Sequence, residues 1–384
     1  MALVAGVLVV AGATAQAGWL YVLAAGVLGM VGSSLFYPHR LRHIEVRRSL
    51  PPRAVVGDEV RVGLSVTNHA RRSVPPFRIE DRFPALGGGA AACERLGPEA
   101  RAEIQLPRVA ERRGIFEWAP VTLSCGAPFG FMRTTRTVEV ASPFVAVPRW
   151  VDLRSFPILE PSSYPSDVLH ERARMGAGEE FLGVREYRAG DSPRSVHWRS
   201  TARVGRLMVR EYEEHPSARV AVVLTGADHG TPPDSSFEHL VSGAASIVLY
   251  ALATGHPVEL VRAEAGGLAE VLVEPEKETA LDWLAAARPV DAAPAPLVSE
   301  ALARLGRRGT VVICAASAGA SGAGLRDAAH DAQAAGARVL VVTALSSSWA
   351  DGAVGEVDPA SIGGGRASVR VLRKGESLRS CLEG

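Results

Sequence analysis

Arg219–Thr225, RVAVVLT, is a short run in which every residue after the first arginine is apolar or small until the closing threonine. A strand that alternates apolar and polar residues buries one face. An unbroken apolar run implies burial on both faces, as in a parallel sheet covered by helices. The next residues agree with that reading. Asp234-Ser235-Ser236 offers N-caps to a helix on which Phe237, Leu240, Val241, Ala244, Ile247, Val248 and Ala251 recur at helical spacing, and Gly255 ends it. Further strands are expected at Pro257–Arg262, Ala269–Val273, Thr310–Ala315, Ala337–Val342 and Ser368–Leu372, with helices at Thr279–Ala287, Val298–Leu305 and Ala323–Ala335. Alternating β and α elements imply a doubly wound sheet over residues 218–384, with ligand space at the carboxyl ends of its strands.

Upstream, the period changes to two. Val60, Val62, Leu64 and Val66 alternate with Glu59, Arg61, Gly63, Ser65 and Thr67, giving a half-buried strand after the Gly57-Asp58 turn. Short strands at Phe77–Asp81, Ala102–Leu106, Gly114–Leu123 and Thr137–Val147 fill out an immunoglobulin-like antiparallel sandwich over residues 43–147. Pro148 to Met175, with Pro157, Pro161 and Pro165, reads as a linker over the surface. It opens a segment, 148–217, that joins sandwich to sheet.

The amino-terminal end is of another kind. Met1 to Pro38 contains no charged side chain. Trp19–Tyr37 is about 28 Å long as a helix at 1.5 Å per residue, close to the hydrocarbon thickness of a bilayer, with aromatic residues at both ends. Ala2–Ala15 is shorter, and Gln16-Ala17-Gly18 supplies a turn, so residues 1–38 are expected to form a transmembrane helical hairpin. A cleaved leader ending at Ala15-Gln16-Ala17 competes with that reading, but the segment lacks the basic start of a signal peptide. Arg40, Arg42, Arg47 and Arg48 follow the spans and place the soluble parts in the cytoplasm.

Composition narrows the function classes. The 384 residues carry a formal charge of +1, so no global basic field argues for nucleic acid. Cationic charge is almost all arginine, with lysine only at 277 and 374. Cys93, Cys125, Cys314 and Cys381 have no metal-ligand spacing; a Cys93–Cys125 disulfide would fit only an extracytoplasmic chain. The densest chemistry lies in Gly176–Glu213, GAGEEFLGVREYRAGDSPRSVHWRSTARVGRLMVREYE. Arginines alternate there with carboxylates and with Phe181, Tyr187, Trp198 and Tyr212, a composition suited to forked ion pairs and stacking. Arg185–Ala189 and Val196–Arg199 are expected as two arms meeting at the Gly190-Asp191 turn. Asp191, Ser195 and His197 invite comparison with a hydrolase triad, yet Arg194 and Arg199 compete for the carboxylate, and an arginine-pinned turn is the plainer reading. Gly176-Ala177-Gly178 lacks the strand and third glycine of a dinucleotide fingerprint, and the flexible SAGASGAG at 317–324 lacks the P-loop lysine. His215 and His229 are expected at the surface.

The run E-F-x-x-x-R-E-Y-x-x-G-D-x-x-R-x-V-x-W-x-x-T-A-R, Glu180–Arg203, resembles the signature of the bacterial family called domain of unknown function 58. Arg112–Arg136, RRGIFEWAPVTLSCGAPFGFMRTTR, is similar to that family's upstream region, with Ala127 where an Asp usually precedes Pro-Phe-Gly. The resemblance implies that residues 218–384 form a von Willebrand factor A-like domain. Such domains often hold a divalent metal through Asp-x-Ser-x-Ser; here Thr225-Gly226-Ala227-Asp228-His229 stands instead, so no metal or other cofactor is expected. It further implies a non-enzymatic adaptor or scaffold beside a MoxR-type AAA+ ATPase, in contact with the lipid bilayer and with other membrane or envelope proteins. The docking residues expected are Glu180, Phe181, Arg185, Tyr187, Gly190, Asp191, Arg194, Trp198 and Arg203, since arginine, tyrosine and tryptophan dominate binding hot spots. The alternatives are a cell-envelope hydrolase using Ser195, His197 and Asp191, and an extracytoplasmic adhesion-type protein.

Overall fold

The computed structural model describes residues 2–34, 38–126, 130, 133–156, 179–188, 196–214, 219–305, 309–350, 356–362 and 367–383. Two apolar helices come first, α1 (Ala2–Ala15) and α2 (Gly18–Ser34). They turn back on each other through Gln16 and Ala17, where the Ala17 N–H donates to the Gly12 carbonyl at 3.3 Å. Glycine at position 12 permits the close approach: a Cβ there would lie 3.2 Å from Leu20 Cβ. Ala5 and Ala24 are buried, whereas Leu3, Trp19 and Val22 are exposed. At 14 and 17 residues, both helices are shorter than the roughly 20 residues that cross a bilayer. The expected span Trp19–Tyr37 is observed as helix only to Ser34; residues 35–37 lie outside the described residues.

After a 3-10 turn at Pro38–His43, eight strands follow: β1 (Ile44–Ser49), β2 (Arg53–Val55), β3 (Glu59–Asn68), β4 (Phe77–Arg82), β5 (Gly88–Cys93), β6 (Arg101–Val109), β7 (Gly114–Cys125) and β8 (Thr134–Val147). They form a sheet β1-β3-β6 and a second sheet β2-β8-β7-β4-β5. Alternation drives this packing. Val60, Val62, Leu64 and Val66 of β3 all point into a core shared with Ile79, Phe83, Leu123 and Phe144. Phe83 and Phe144 meet edge to face at 5.6 Å. One ion pair is buried beside them: Arg48 Nη2 reaches Asp81 at 2.6 Å, with both side chains almost fully excluded from solvent. Cys93 and Cys125 are free and buried. They lie on β5 and β7, on either side of β4. At about 4.8 Å per strand they stand about 10 Å apart, too far for a disulfide without moving the backbone.

Six of the later strands build a sheet in the order β15-β14-β11-β16-β17-β18. Its members are β11 (Val220–Thr225), β14 (Val258–Ala263), β15 (Ala269–Val273), β16 (Thr310–Ala316), β17 (Arg338–Ala344) and β18 (Ser368–Leu372). All run parallel except the edge strand β15. Between β11 and β14 lie two-residue strands, β12 (Gly230–Thr231) and β13 (Asp234–Ser235). With the hairpin helix counted as α3 (Trp198–Val204), the sheet's helices are α4 (Ser236–Ala253), α5 (Lys277–Ala286), α6 (Pro294–Leu305), α7 (Gly319–Ala323), α8 (Leu325–Ala334), α9 (Pro359–Ile362) and α10 (Leu378–Glu383). The apolar run 219–225 does serve two faces. Val220, Val222 and Leu224 pack with α4 and α5, while Ala221 and Val223 pack with α6 and α8. Ser235 caps α4 by accepting from the Glu238 N–H. This helix is long and apolar enough to cross a membrane, yet it is the mostly buried central helix of the sheet's core.

Two expectations on connecting segments are corrected. Residues 148–156 are only partly at the surface: Arg149, Asp152, Arg154 and Ser155 are exposed, but Phe156 is buried with Val147 in the sheet's own core, and Trp150 and Leu153 pack against it. Pro157, Pro161 and Pro165 lie outside the described residues, as does the rest of 157–178. The glycine-rich 317–324 segment is likewise ordered, with Ser317 and Ser321 buried and α7 formed within it.

The sandwich is fastened to the sheet by Arg113, whose side chain is 4% exposed. Its guanidinium donates to both Glu238 oxygens, at 3.0 and 2.9 Å. It also donates to the carbonyls of Leu284, Ala285 and Ala287 at the end of α5, at 2.6, 3.0 and 2.7 Å. A cation there satisfies carbonyls that the helix leaves without partners. Arg53 adds Glu278 and Asp282 of the same helix at 3.0 and 2.7 Å.

Candidate functional site

The signature segment forms a hairpin of β9 (Glu179–Glu186) and β10 (Met208–Glu214), with α3 between them. The arms are therefore not those expected. Arg185 pairs with Val209. Val196 makes one bridge to Val209. After Val196 the chain turns into helix instead of continuing as strand. Local chemistry explains the switch: the His197 side chain accepts from the Ser200 N–H as an N-cap, and Gly205, at φ 73°, ends the helix with its N–H on the Thr201 carbonyl. Thr201 Oγ1 then accepts from the Met208 N–H at 3.0 Å and starts β10. The register also departs from alternating charge pairs. Glu213 lies opposite Glu180, Glu214 opposite Glu179, and Tyr212 opposite Phe181.

Of the expected docking residues, Trp198 is 70% and Tyr187 36% exposed. Arg203 is exposed, as are Arg199 and Arg206, and α3 has no buried residue. Val204 and Leu207 add exposed apolar surface. Glu180, Phe181 and Arg185 are placed by the backbone of β9, while Gly190, Asp191 and Arg194 lie outside the described residues, as does Ser195. Nδ1 of His197 lies 2.7 Å from Ser200 Oγ, so this nitrogen serves the helix cap.

The carboxyl edge of the six-stranded sheet is where a doubly wound fold carries its ligands. There, three of the described carboxylates are engaged by the chain itself. Asp228 accepts from the Phe237 N–H at 3.2 Å. Asp291 accepts from the N–H groups of Ala320 and Ser321 at 3.0 and 2.9 Å. Glu356 accepts from Ser317 Oγ at 2.5 Å and from the Ser347 N–H at 3.0 Å. Burial alone would raise Asp291 and Glu356, but these donors outweigh it and hold both below the usual carboxylate range. Thr225 Oγ1 faces the carbonyls of Val290 and Ala292 at 3.1 and 2.9 Å. Among the described residues no group of three or more His, Cys, Asp and Glu is placed to hold a metal ion. A hard cation needs several free oxygen ligands, and this donor set does not fit one.

Arg113 and Arg53, which fasten the two halves together, were not singled out from the sequence. Arg113 sits in an Arg-Arg-Gly triplet before a strand, which is also what a solvated turn looks like.

No curated protein matches this chain. Among solved structures, the CARDB domain of PF1109 from Pyrococcus furiosus is 13% identical, covering 26% of this chain and 94% of that one, with a TM-score of 0.18. A beta-glucosidase from Listeria innocua in complex with gluconolactone is 13% identical over 27% of this chain and 16% of its own, with a TM-score of 0.15. Likenesses this slight carry no argument about activity. The model of the family described as "Protein of unknown function DUF58" matches residues 183–348, from the signature hairpin through β17. Residues 183–348 therefore match that family, across the hairpin and most of the six-stranded sheet.

Proposed function

We propose that this protein is a membrane-anchored, non-enzymatic adaptor or scaffold. It works beside a MoxR-type AAA+ ATPase in the assembly or remodelling of membrane or envelope protein complexes. The observation that carries the reading is α3: a helix with no buried residue, on which Trp198 is 70% exposed and Arg199 and Arg203 stand open to solvent. A tryptophan left in water forgoes about 1.5–3 kcal/mol of burial, and an anchor of this kind beside arginines suits a partner's pocket.

In this reading α1 and α2 insert as a hairpin of two spans, with the bilayer thinned or the helices extended to match their length. The soluble parts then lie in the cytoplasm behind the arginines at 40, 42, 47 and 48. The sheet order, with a single antiparallel edge strand, supports likening residues 218–384 to a von Willebrand A domain whose metal-binding edge has been taken over by internal hydrogen bonds. The test is affinity purification from native membranes with mild cross-linking, comparing wild type with Trp198→Ala/Arg203→Ala. An AAA+ ATPase recovered with wild type and lost with the variant supports the adaptor. Equal recovery from both places docking elsewhere.

A further inference from the structure

The sandwich has two ends, and they carry different things. At one, Val55, Val145 and Val147 pack on the six-stranded sheet's core, and Arg53 and Arg113 fasten to α5. The opposite end receives the chain from the apolar helices. There Arg136 Nη1 donates to the carbonyls of Leu41 and Ile44 at the close of the 3-10 turn. The His69 N–H donates to the His43 carbonyl at 3.0 Å. Asn68, fully buried, donates through Nδ2 to the carbonyls of Arg72 and Gly97 at 3.0 and 2.8 Å, tying the loop after β3 to the loop before β6. Arg95 donates to Ser73 Oγ, joining the same two loops at the surface.

This knitted end is cationic. Arg42, Arg71, Arg72, Arg95 and Arg133 are all exposed, and among the described residues none is paired with a carboxylate. Opposing them are Glu94 and Glu99, both exposed, and Glu45, which is already held by Arg47 at 2.7 Å and His69 at 2.6 Å. Five open arginines against two open glutamates stand out on a chain whose formal charge is only +1. Guanidinium forks match phosphate oxygens, and several basic groups together hold an anionic lipid leaflet.

We propose that this end of the sandwich is a second, electrostatic membrane contact that seats the protein on anionic phospholipid headgroups. The proposal rests on the reading of α1 and α2 as membrane-embedded, because that places this end at the bilayer. The sandwich then acts as a strut. β8 runs 14 residues from the headgroup end to the sheet's core, about 45 Å at 3.2–3.4 Å per residue. The six-stranded sheet is thereby held well clear of the membrane.

The experiment uses the full chain reconstituted into vesicles, with Cys381→Ser to remove the one cysteine that is not buried. A fluorophore is attached at Pro98→Cys, on an exposed position of the cationic end, or at Leu268→Cys, which is 71% exposed on the α/β unit. Headgroup spin-labelled lipid quenches only near contact. In vesicles containing phosphatidylglycerol the Pro98 label is expected to be quenched and the Leu268 label not. Quenching at Pro98 is expected to be lost in Arg71→Glu/Arg72→Glu/Arg95→Glu and in phosphatidylcholine alone, while each protein still floats with its vesicles and melts at the wild-type temperature. Quenching that survives charge reversal, or that is absent from the start in a protein that floats, overturns the headgroup contact but not the anchor. Failure to float overturns both.

Discussion

Arginine serves this chain in two opposite ways. Arg48 and Arg113 are almost wholly excluded from solvent and surrounded by acceptors: Asp81, Ser142 and the Ala119 carbonyl for one, Glu238 and three helix carbonyls for the other. Arg199, Arg203 and Arg206 crowd a small helix and its C-terminal turn in the open, with a single ion pair described between them, Arg206 to Glu186 at 3.5 Å. The same residue type is structural where the fold surrounds it and available where the fold leaves it out. Density of arginines in the sequence does not separate the two cases; burial does.

The contrast is sharpest in what each kind of arginine does to stability. Arg48→Ala leaves Asp81 buried without its cation and is expected to cost about 3–5 kcal/mol. Arg113→Ala strands Glu238, 18% exposed, and the three carbonyls, and is expected to cost about 3 kcal/mol. Calorimetry distinguishes them: loss of Arg48 lowers the one transition that both halves share, whereas loss of Arg113 splits it into two, the first below the wild-type temperature, as the halves uncouple. A single lowered transition in Arg113→Ala would mean that the apolar contacts of Val55, Val145 and Phe156 suffice to hold the halves.

Acidic groups give a smaller, pH-dependent version of the comparison. Glu259 sits in β14 with its side chain nearly sealed; burial raises it, and Arg219 opposes that only in part. A carboxyl raised in the fold binds its proton more tightly folded than unfolded. Its contribution to stability is therefore greatest at low pH and is lost as pH rises through its folded value. Glu259→Gln is expected to raise stability at neutral pH by about 1 kcal/mol and to leave it little changed in acid, by urea unfolding at both. Asp291 has the opposite sign. Its lowered carboxyl stabilises above its unfolded value, and that stabilisation fades as pH falls. Asp291 is itself exposed, so solvent screens the effect: Asp291→Asn should cost under about 1 kcal/mol at neutral pH and progressively less in acid.

The sheet was legible in sequence because its strands are continuous apolar runs and its longest helix carries a cap and a clean stripe. The sandwich was legible through strict alternation in β3. What escaped was set by tertiary context. Nothing local distinguishes Arg113 from its neighbour Arg112, because its partners lie more than a hundred residues away on α4 and α5. Phe156 looked like part of a proline-rich linker until the sheet supplied a core to receive it. The hairpin failed in one respect: a Val-His-Trp run reads as strand, and only the His197 side chain turning onto the Ser200 N–H starts a helix. Trp198 was singled out as a docking candidate from its residue type alone; that it is exposed could not be known from the sequence.

The smallest expected effect on stability belongs to the surface of most functional interest. Trp198→Ala/Arg203→Ala should change the unfolding free energy by under about 0.5 kcal/mol, since neither side chain is buried. The most direct measurement follows from that: the melting temperature and the recovery of cross-linked AAA+ ATPase, taken on the same preparations of wild type, Trp198→Ala/Arg203→Ala and Arg113→Ala. The account predicts that the hairpin variant melts like wild type and loses the ATPase, while Arg113→Ala melts lower. A hairpin variant that melts several degrees lower, or one that melts normally and retains the ATPase in full, would contradict it.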